Sequence, residues 1–301
     1  MTMLTELGKC VFSGVFSVIV LAATGSVAPA ANLTVGGKDF TEQQIIAEMT
    51  TQLLTSKGYT IDKKNGMGTK IVRAALENGE VDLYWEYTGT SLVTFNKVTD
   101  KLSPQATYDR VKQLDGEKGL VWLAPSKANN TYAMVVRKDN PKTDALKTVS
   151  DMAAAYKAGT ALMMGTTAEF PKRQDGLLGL QKTYDFEAGR ANVKPMDLGL
   201  AYRALANKDL DVISAQATDG QIAALGLRVL ADDKGFFPNY ALTPVVRKTV
   251  LDAHPDLKPT LEALSAKLDD ATMQKLNGEV DVDKKTVEVV AADFLKQNGL
   301  K

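Results

Sequence analysis

The stretch Leu76-Glu77-Asn78-Gly79-Glu80-Val81-Asp82-Leu83-Tyr84-Trp85-Glu86-Tyr87 recurs, weakly, as Leu205-Ala206-Asn207-Lys208-Asp209-Leu210-Asp211-Val212-Ile213-Ser214-Ala215-Gln216. Leucine, asparagine, an acidic residue, an aliphatic residue, aspartate and a second aliphatic residue keep their places without a gap. Each copy reads as a helix end, a polar turn and a strand. Each strand then runs into a junction rich in glycine and threonine, Tyr87-Thr88-Gly89 in one and Ala217-Thr218-Asp219-Gly220 in the other. A chain of 301 residues holds one large or two medium domains. A unit used twice favours two similar α/β lobes. Tyr87 and Gln216 then stand at equivalent strand ends and face each other across a cleft.

The remaining pattern agrees with an α/β protein. Short apolar runs at 33–35, 81–85, 121–123, 133–136, 161–164 and 210–213 predict strands, and 40–56, 259–268 and 286–297 predict helices. Alternation of the two kinds implies mainly parallel sheets. Three junctions carry a threonine followed three residues later by Gln or Glu: Thr41 with Gln44, Thr166 with Glu169, and Thr218 with Gln221. That is the capping-box spacing. In open α/β sheets ligands bind beyond the strand C-termini, where free N–H groups and the helix dipole suit an anionic group.

Charge and rare residues narrow the function. Lys+Arg and Asp+Glu both number 36, which leaves no electrostatic footprint for nucleic acid. One cysteine cannot form an internal disulfide, and a lone His254 excludes histidine metal clusters and disfavours a Ser-His-Asp triad. There is no G-x-S-x-G elbow, no Walker A loop and no G-x-G-x-x-G after a strand, so no catalytic residue, cofactor or metal is expected. Carboxylates are plentiful, and a secreted hydrolase working with Asp and Glu alone stays open. The first thirty residues place Lys9 ahead of an apolar run from Val11 to Ala23 and end in Ala28-Pro29-Ala30-Ala31, the layout of a cleaved secretory signal peptide. Cys10 precedes the apolar run, so a lipid anchor is not expected. The mature chain starts near Ala31 or Asn32, is free of cysteine and suits the periplasm.

A series of short motifs runs through the mature chain in order: Lys38-Asp39-Phe40-Thr41-Glu42-Gln43; Asp82-Leu83-Tyr84-Trp85-Glu86-Tyr87-Thr88-Gly89-Thr90; Asn129-Asn130-Thr131-Tyr132-Ala133; Glu169-Phe170 with Arg173 and Asp175-Gly176; Ala217-Thr218-Asp219-Gly220; and Phe236-Phe237-Pro238-Asn239-Tyr240. The series resembles the glycine betaine/choline/carnitine substrate-binding proteins of osmoprotectant ABC importers. The resemblance implies a type II periplasmic binding protein, a monomer whose two lobes close on a small quaternary ammonium compound and deliver it to a permease in the inner membrane. It implies lobe one at 32–132 plus 241–301 and lobe two at 133–240. It also implies a box of aromatic faces around the ammonium group, held by ring quadrupoles at ~0.5–2 kcal/mol per face. Carried over by motif, the box members are Tyr87, Tyr132 and Tyr240, and the place of the usual fourth tyrosine holds Gln216, with Tyr202 as a substitute wall. Arg173 is the matching arginine, suited to a carboxylate. Thr88, Thr90, Asn130, Thr166 and Thr218 are further polar candidates, and Gln43 belongs at the cleft edge. Gln216 brings a hydrogen-bonding amide where the family has a ring, which opens the choice of ligand to a more polar amino-acid-like, imidazole or sulfur betaine.

Overall fold

The computed structural model describes residues 32–301, together with Thr2 ahead of them. The signal peptide expected at 1–30 otherwise lies outside the described residues. No described helix is long and apolar enough to cross a membrane.

The first sheet begins with β1 (Asn32–Lys38), which feeds α1 (Thr41–Ser56). An edge strand β2 (Thr60–Met67), α2 (Thr69–Asn78) and the buried strand β3 (Leu83–Tyr87) follow. One helical turn, α3 (Thr88–Thr90), leads toward α4 (Pro104–Gly116) and β4 (Leu120–Trp122). The chain then crosses to the second sheet. There β5 (Tyr132–Val136), α5 (Val149–Lys157), β6 (Met164–Thr166), α6 (Leu177–Tyr184), β7 (Val193–Pro195), α7 (Leu198–Ala206), β8 (Val212–Gln216), α8 (Gly220–Ala224) and β9 (Arg228–Leu230) follow in turn. It returns with β10 (Leu242–Arg247), which re-enters the first sheet, and finishes in α9 (Lys248–Ala253), α10 (Leu257–Ser265), α11 (Asp270–Asp281) and α12 (Val287–Gln297).

The strand orders are β2-β1-β3-β10-β4 and β7-β6-β8-β5-β9. They match position for position, with β3 and β8 central. The repeated segments therefore form the middle strand of each sheet, and Tyr87 and Gln216 are both the last residue of their strand. Contrary to the mainly parallel expectation, both sheets are mixed. β1 pairs parallel with β2 and β3, and β6 with β7 and β8, but β10 and β5 run antiparallel to both their neighbours. The reason lies in the crossing itself. Each crossing strand arrives from the opposite sheet and can only enter against the direction of the strands already there.

The two crossings are stitched to one another. Asn129 bridges Ala241, Leu242 N–H donates to the Ala128 carbonyl at 3.0 Å, and Asn130 N–H donates to the Tyr240 carbonyl at 3.2 Å. Apolar faces cover both sheets. Ile45, Ile46, Met49 and Leu53 recur at helical spacing along α1 and bury against Trp85, α11 and α12. Both tryptophans, Trp85 and Trp122, are core residues as their strand context implies. Trp85 Nε1 donates to Thr50 Oγ1 at 2.9 Å, which satisfies the indole inside the core.

None of the three predicted capping boxes forms. Phe40 is the N-cap of α1 and makes no side-chain cap, and Thr41 Oγ1 donates instead to Asp281 at 2.7 Å. Thr166 ends β6, and its hydroxyl has no protein partner. Asp219 holds the N-cap position of α8 without a side-chain cap, and Thr218 Oγ1 donates to Glu42. A capping box does occur where the family motifs are silent, at Thr148 and Asp151 on α5. Thr41 and Thr218 have thus given their hydroxyls to contacts outside the helices they precede.

Candidate ligand-binding site

Three tyrosines from separate segments meet where the crossings pass between the sheets. Tyr87 ends β3, Tyr132 opens β5 and Tyr240 lies on the return just before β10. Tyr132 and Tyr240 meet edge-on, ring centroids 5.5 Å apart, and Phe170 and Phe237 pack on Tyr132 at 4.9 and 5.6 Å. Phe40 stacks on Tyr87 at 6.2 Å. Phe40, Tyr132 and Phe237 border the same buried cluster that contains Tyr87 and Tyr240. Gly89 makes the arrangement possible. A Cβ there would sit 2.8 Å from the Asn239 carbonyl oxygen and 2.9 Å from two atoms of the Tyr240 ring.

Two buried cations lie against these rings. Lys38 Nζ stands 4.9 Å from the centre of the Tyr87 ring and pairs with Glu86. Burial pulls its ammonium below the usual lysine range, against the opposing pull of Glu86. The Arg173 guanidinium lies 5.9 Å from the centre of the Tyr132 ring. Its fork was expected to serve a ligand carboxylate, but Asp175 takes it: Nε donates to Oδ1 at 2.8 Å and Nη2 donates to Oδ2. Tyr240 Oη donates to the same Asp175 at 2.9 Å, so ring and guanidinium share one carboxylate. Burial raises all three phenols, Tyr132 to about 12 and Tyr87 and Tyr240 well above the usual range, which keeps them as protonated donors.

Glu42, in the first turn of α1, escaped the sequence reading. It is buried, and donors from four parts of the chain converge on it: Tyr87 Oη at 2.9 Å, Asn130 Nδ2 at 2.5 Å, Thr218 Oγ1 at 2.6 Å and Asn277 Nδ2 at 3.2 Å. One carboxylate thus ties a box tyrosine, a crossing and both sheets together. Sequence shows it only as an acid beside a helix start, which is common. Lys38 was equally hidden, because its partner Glu86 lies on another strand.

The other predicted residues fall in two groups. Thr88 spends its hydroxyl on the return crossing, donating to the Asn239 carbonyl and accepting from Ala241 N–H, both at 3.0 Å. Thr218 is committed to Glu42, and Thr90 lies 3.4 Å from Arg173 Nη2. Tyr202 does not join the rings. It is buried in the second lobe and donates to Asp219 at 2.8 Å. Gln43, Asn130 and Gln216, by contrast, keep unpartnered buried atoms: both amide atoms of Gln43, Oδ1 of Asn130 and Oε1 of Gln216. Gln216 stands directly opposite Tyr132 in the β5–β8 ladder, where paired side chains share a face. A cavity of about 780 Å³ adjoins the cluster, bounded by Val93 and Leu102 on one side and Tyr132, Asp175, Phe236 and Phe237 on the other.

Two α/β lobes joined by paired crossings, with aromatic faces and buried polar groups at the junction, define a two-lobed binding protein of the type II periplasmic class. The chain belongs to the family described as the substrate binding domain of ABC-type glycine betaine transport systems, whose model matches residues 31–297. It is 41% identical over 280 residues to a glycine-betaine-binding protein of Pseudomonas aeruginosa strain PAO1, covering 91% of this chain and 90% of that protein. It is 35% identical over 271 residues to an ergothioneine transport permease/ergothioneine binding protein, EgtU, of Helicobacter pylori strain G27, covering 89% of this chain and 48% of that protein. A crystal structure described as a glycine betaine/carnitine/choline ABC transporter is 34% identical, with a TM-score of 0.70 over 89% of this chain and 99% of that one. The protein is accordingly a substrate-binding protein of an ABC transport system.

Proposed function

We propose that the protein captures a small quaternary ammonium compound, zwitterionic or cationic, in the periplasm and hands it unchanged to a membrane permease. It works as a monomer without a cofactor, after removal of the leader at 1–30, and without lipid attachment. The observation that carries this reading is the convergence of Tyr87, Tyr132 and Tyr240 with Phe40, Phe170 and Phe237 at the lobe junction. A trimethylammonium group cannot donate a hydrogen bond, so aromatic faces are the groups that hold it best. Tyr87, Tyr132 and Tyr240 supply those faces. Arg173 is the matching arginine for a ligand carboxylate, which would have to compete with Asp175 for it, and Gln43, Asn130 and Gln216 supply polar contacts. Thr88 and Thr218 support the walls through the hydrogen bonds described above. The lobes comprise 32–132 with 241–301, and 133–240.

A second reading, a more polar betaine such as an imidazole or sulfur betaine, is favoured by one residue. Gln216 puts an amide where the aromatic box of the family closes, and the name of the Helicobacter pylori relative records ergothioneine as its ligand.

Calorimetric titration of the purified protein with glycine betaine, choline, carnitine and ergothioneine tests both. Saturable one-to-one binding of at least one of them is expected, weakened tenfold or more, about 1.4 kcal/mol, by Tyr132→Ala. Absence of binding across the panel, or turnover of the ligand, would refute the proposal.

A further inference from the structure

Glu169 does not close the capping box expected with Thr166. It belongs to the second lobe, and its Oε1 accepts from the N–H of Thr69, the first residue of α2 in the first lobe, at 3.0 Å. That helix has no side-chain cap of its own, because its N-cap position holds Gly68. The register that aligns Leu76 with Leu205 also aligns Gly68 with Asp197. Asp197 caps α7 from within, accepting from Leu200 N–H at 3.2 Å. The two halves therefore serve the same helix start differently. In the second lobe the carboxylate is local, and in the first it arrives from across the cleft.

The surrounding charge gives this carboxylate a second effect. A cavity of about 360 Å³ opens between the lobes beside the contact. Lys70 and Lys97 line it from the first lobe, and Lys172 and Arg173 line it from the second. Glu169 is the one carboxylate among the described lining residues, and its Oε2 stands 3.8 Å from Arg173 Nη1. Without it, like charges would face one another across the gap beside a helix N-terminus that is itself partly positive.

We propose that Glu169 is a positioning residue for ligand capture, a clasp on the second lobe that holds the first lobe closed by capping α2. The clasp is made only when the lobes are together. It therefore raises the closed population and slows ligand escape, and it acts independently of the ligand's identity.

The chain from Asn32 onward has no cysteine, so spin labels on cysteines placed at Lys101 and Lys234 report lobe separation cleanly. Distances are measured without ligand and with glycine betaine, choline, carnitine or ergothioneine. Glu169→Ala is expected to lower the ratio of short to long distances about threefold to tenfold, the worth of a helix cap. The side chain is 43% exposed, so its truncation opens no hole in a core. Gly68→Ser in the same background gives α2 a cap of its own, in a backbone conformation (φ −63°, ψ 154°) open to any residue. The double variant is expected to regain the melting temperature of the wild type but not its closed population. Recovery of both would make Glu169 a support for α2 alone and overturn the proposal. A closed population untouched by Glu169→Ala, or a wild type without short distances in any condition, would overturn it as well. Binding of none of the four compounds would overturn the ammonium trap, and the distances of the unliganded protein would still decide the clasp.

Discussion

Asp219 accepts two hydrogen bonds on one oxygen, from Tyr202 Oη at 2.8 Å and from Gln216 N–H at 2.9 Å. Burial pushes its carboxyl up to about 7, and the nearby charges of Glu42 and Asp281 push the same way. A carboxyl that holds its proton more tightly folded than unfolded makes the native state bind more protons between about pH 4 and pH 7. Stability contributed by this group is therefore full below its unfolded value and falls as pH rises through about 7. Asp219→Asn keeps one oxygen for both donors and removes the titration. Its melting temperature is expected to gain on that of the wild type as pH rises from 5 to 7.5, measured by thermal unfolding across that range, and parallel profiles would contradict the assignment. At this scale the sequence was readable for the aromatic residues, because rings before Thr-Gly or after Asn-Thr are distinctive. It was unreadable for Lys38 and Glu42, whose meaning comes from partners far along the chain.

Among the elements, α1 reaches the second lobe through one side chain, Glu42, which accepts from Thr218. Each oxygen of Glu42 faces two donors: Tyr87 and Asn130 on one, Thr218 and Asn277 on the other. Glu42→Gln would bring an amide N–H into a place where only acceptors are satisfied. A loss of about 1–3 kcal/mol in urea unfolding is expected, the usual range for a buried polar group left without its partner. Ligand affinity should fall with it, because Tyr87 loses its anchor, and an unchanged midpoint and affinity would remove Glu42 from the latch. Elements with a clear apolar period were foreseen, as α1 and β8 were. The edge strand β2 was not, because its Lys63, Lys64 and Asn65 are polar in the manner of strands that must not pair further. β10 was masked by Pro244. Its missing N–H faces the β4 side, where Leu123 N–H donates to the Pro244 carbonyl beyond the end of β4, so the ladder loses nothing there.

At the scale of the molecule the two lobes also touch away from the rings. Gly220, at the start of α8, packs so closely on α11 that a Cβ would lie 2.6 Å from both the Cα and the nitrogen of Gly278. Gly220→Val is expected to hold the lobes apart and weaken ligand binding tenfold or more without altering a ring, as read by calorimetry. Retained affinity would mean that this contact plays no part in capture. The repeat revealed that the halves are alike. It did not reveal how they are joined, because the opposed direction of β5 and β10 follows from chain path and not from local pattern.

Those stitched crossings have a mechanical corollary. Tyr132 and Tyr240 sit on or beside the fulcrum, so swinging one half against the other displaces them little, whereas the rims sweep a wide arc. Lys101, whose ammonium donates across the gap to the Lys234 carbonyl at 2.8 Å, is on such a rim. Fluorophores or spin labels meant to follow the swing belong at Lys101 and Lys234, where leverage is long, and would stay nearly silent beside the tyrosines.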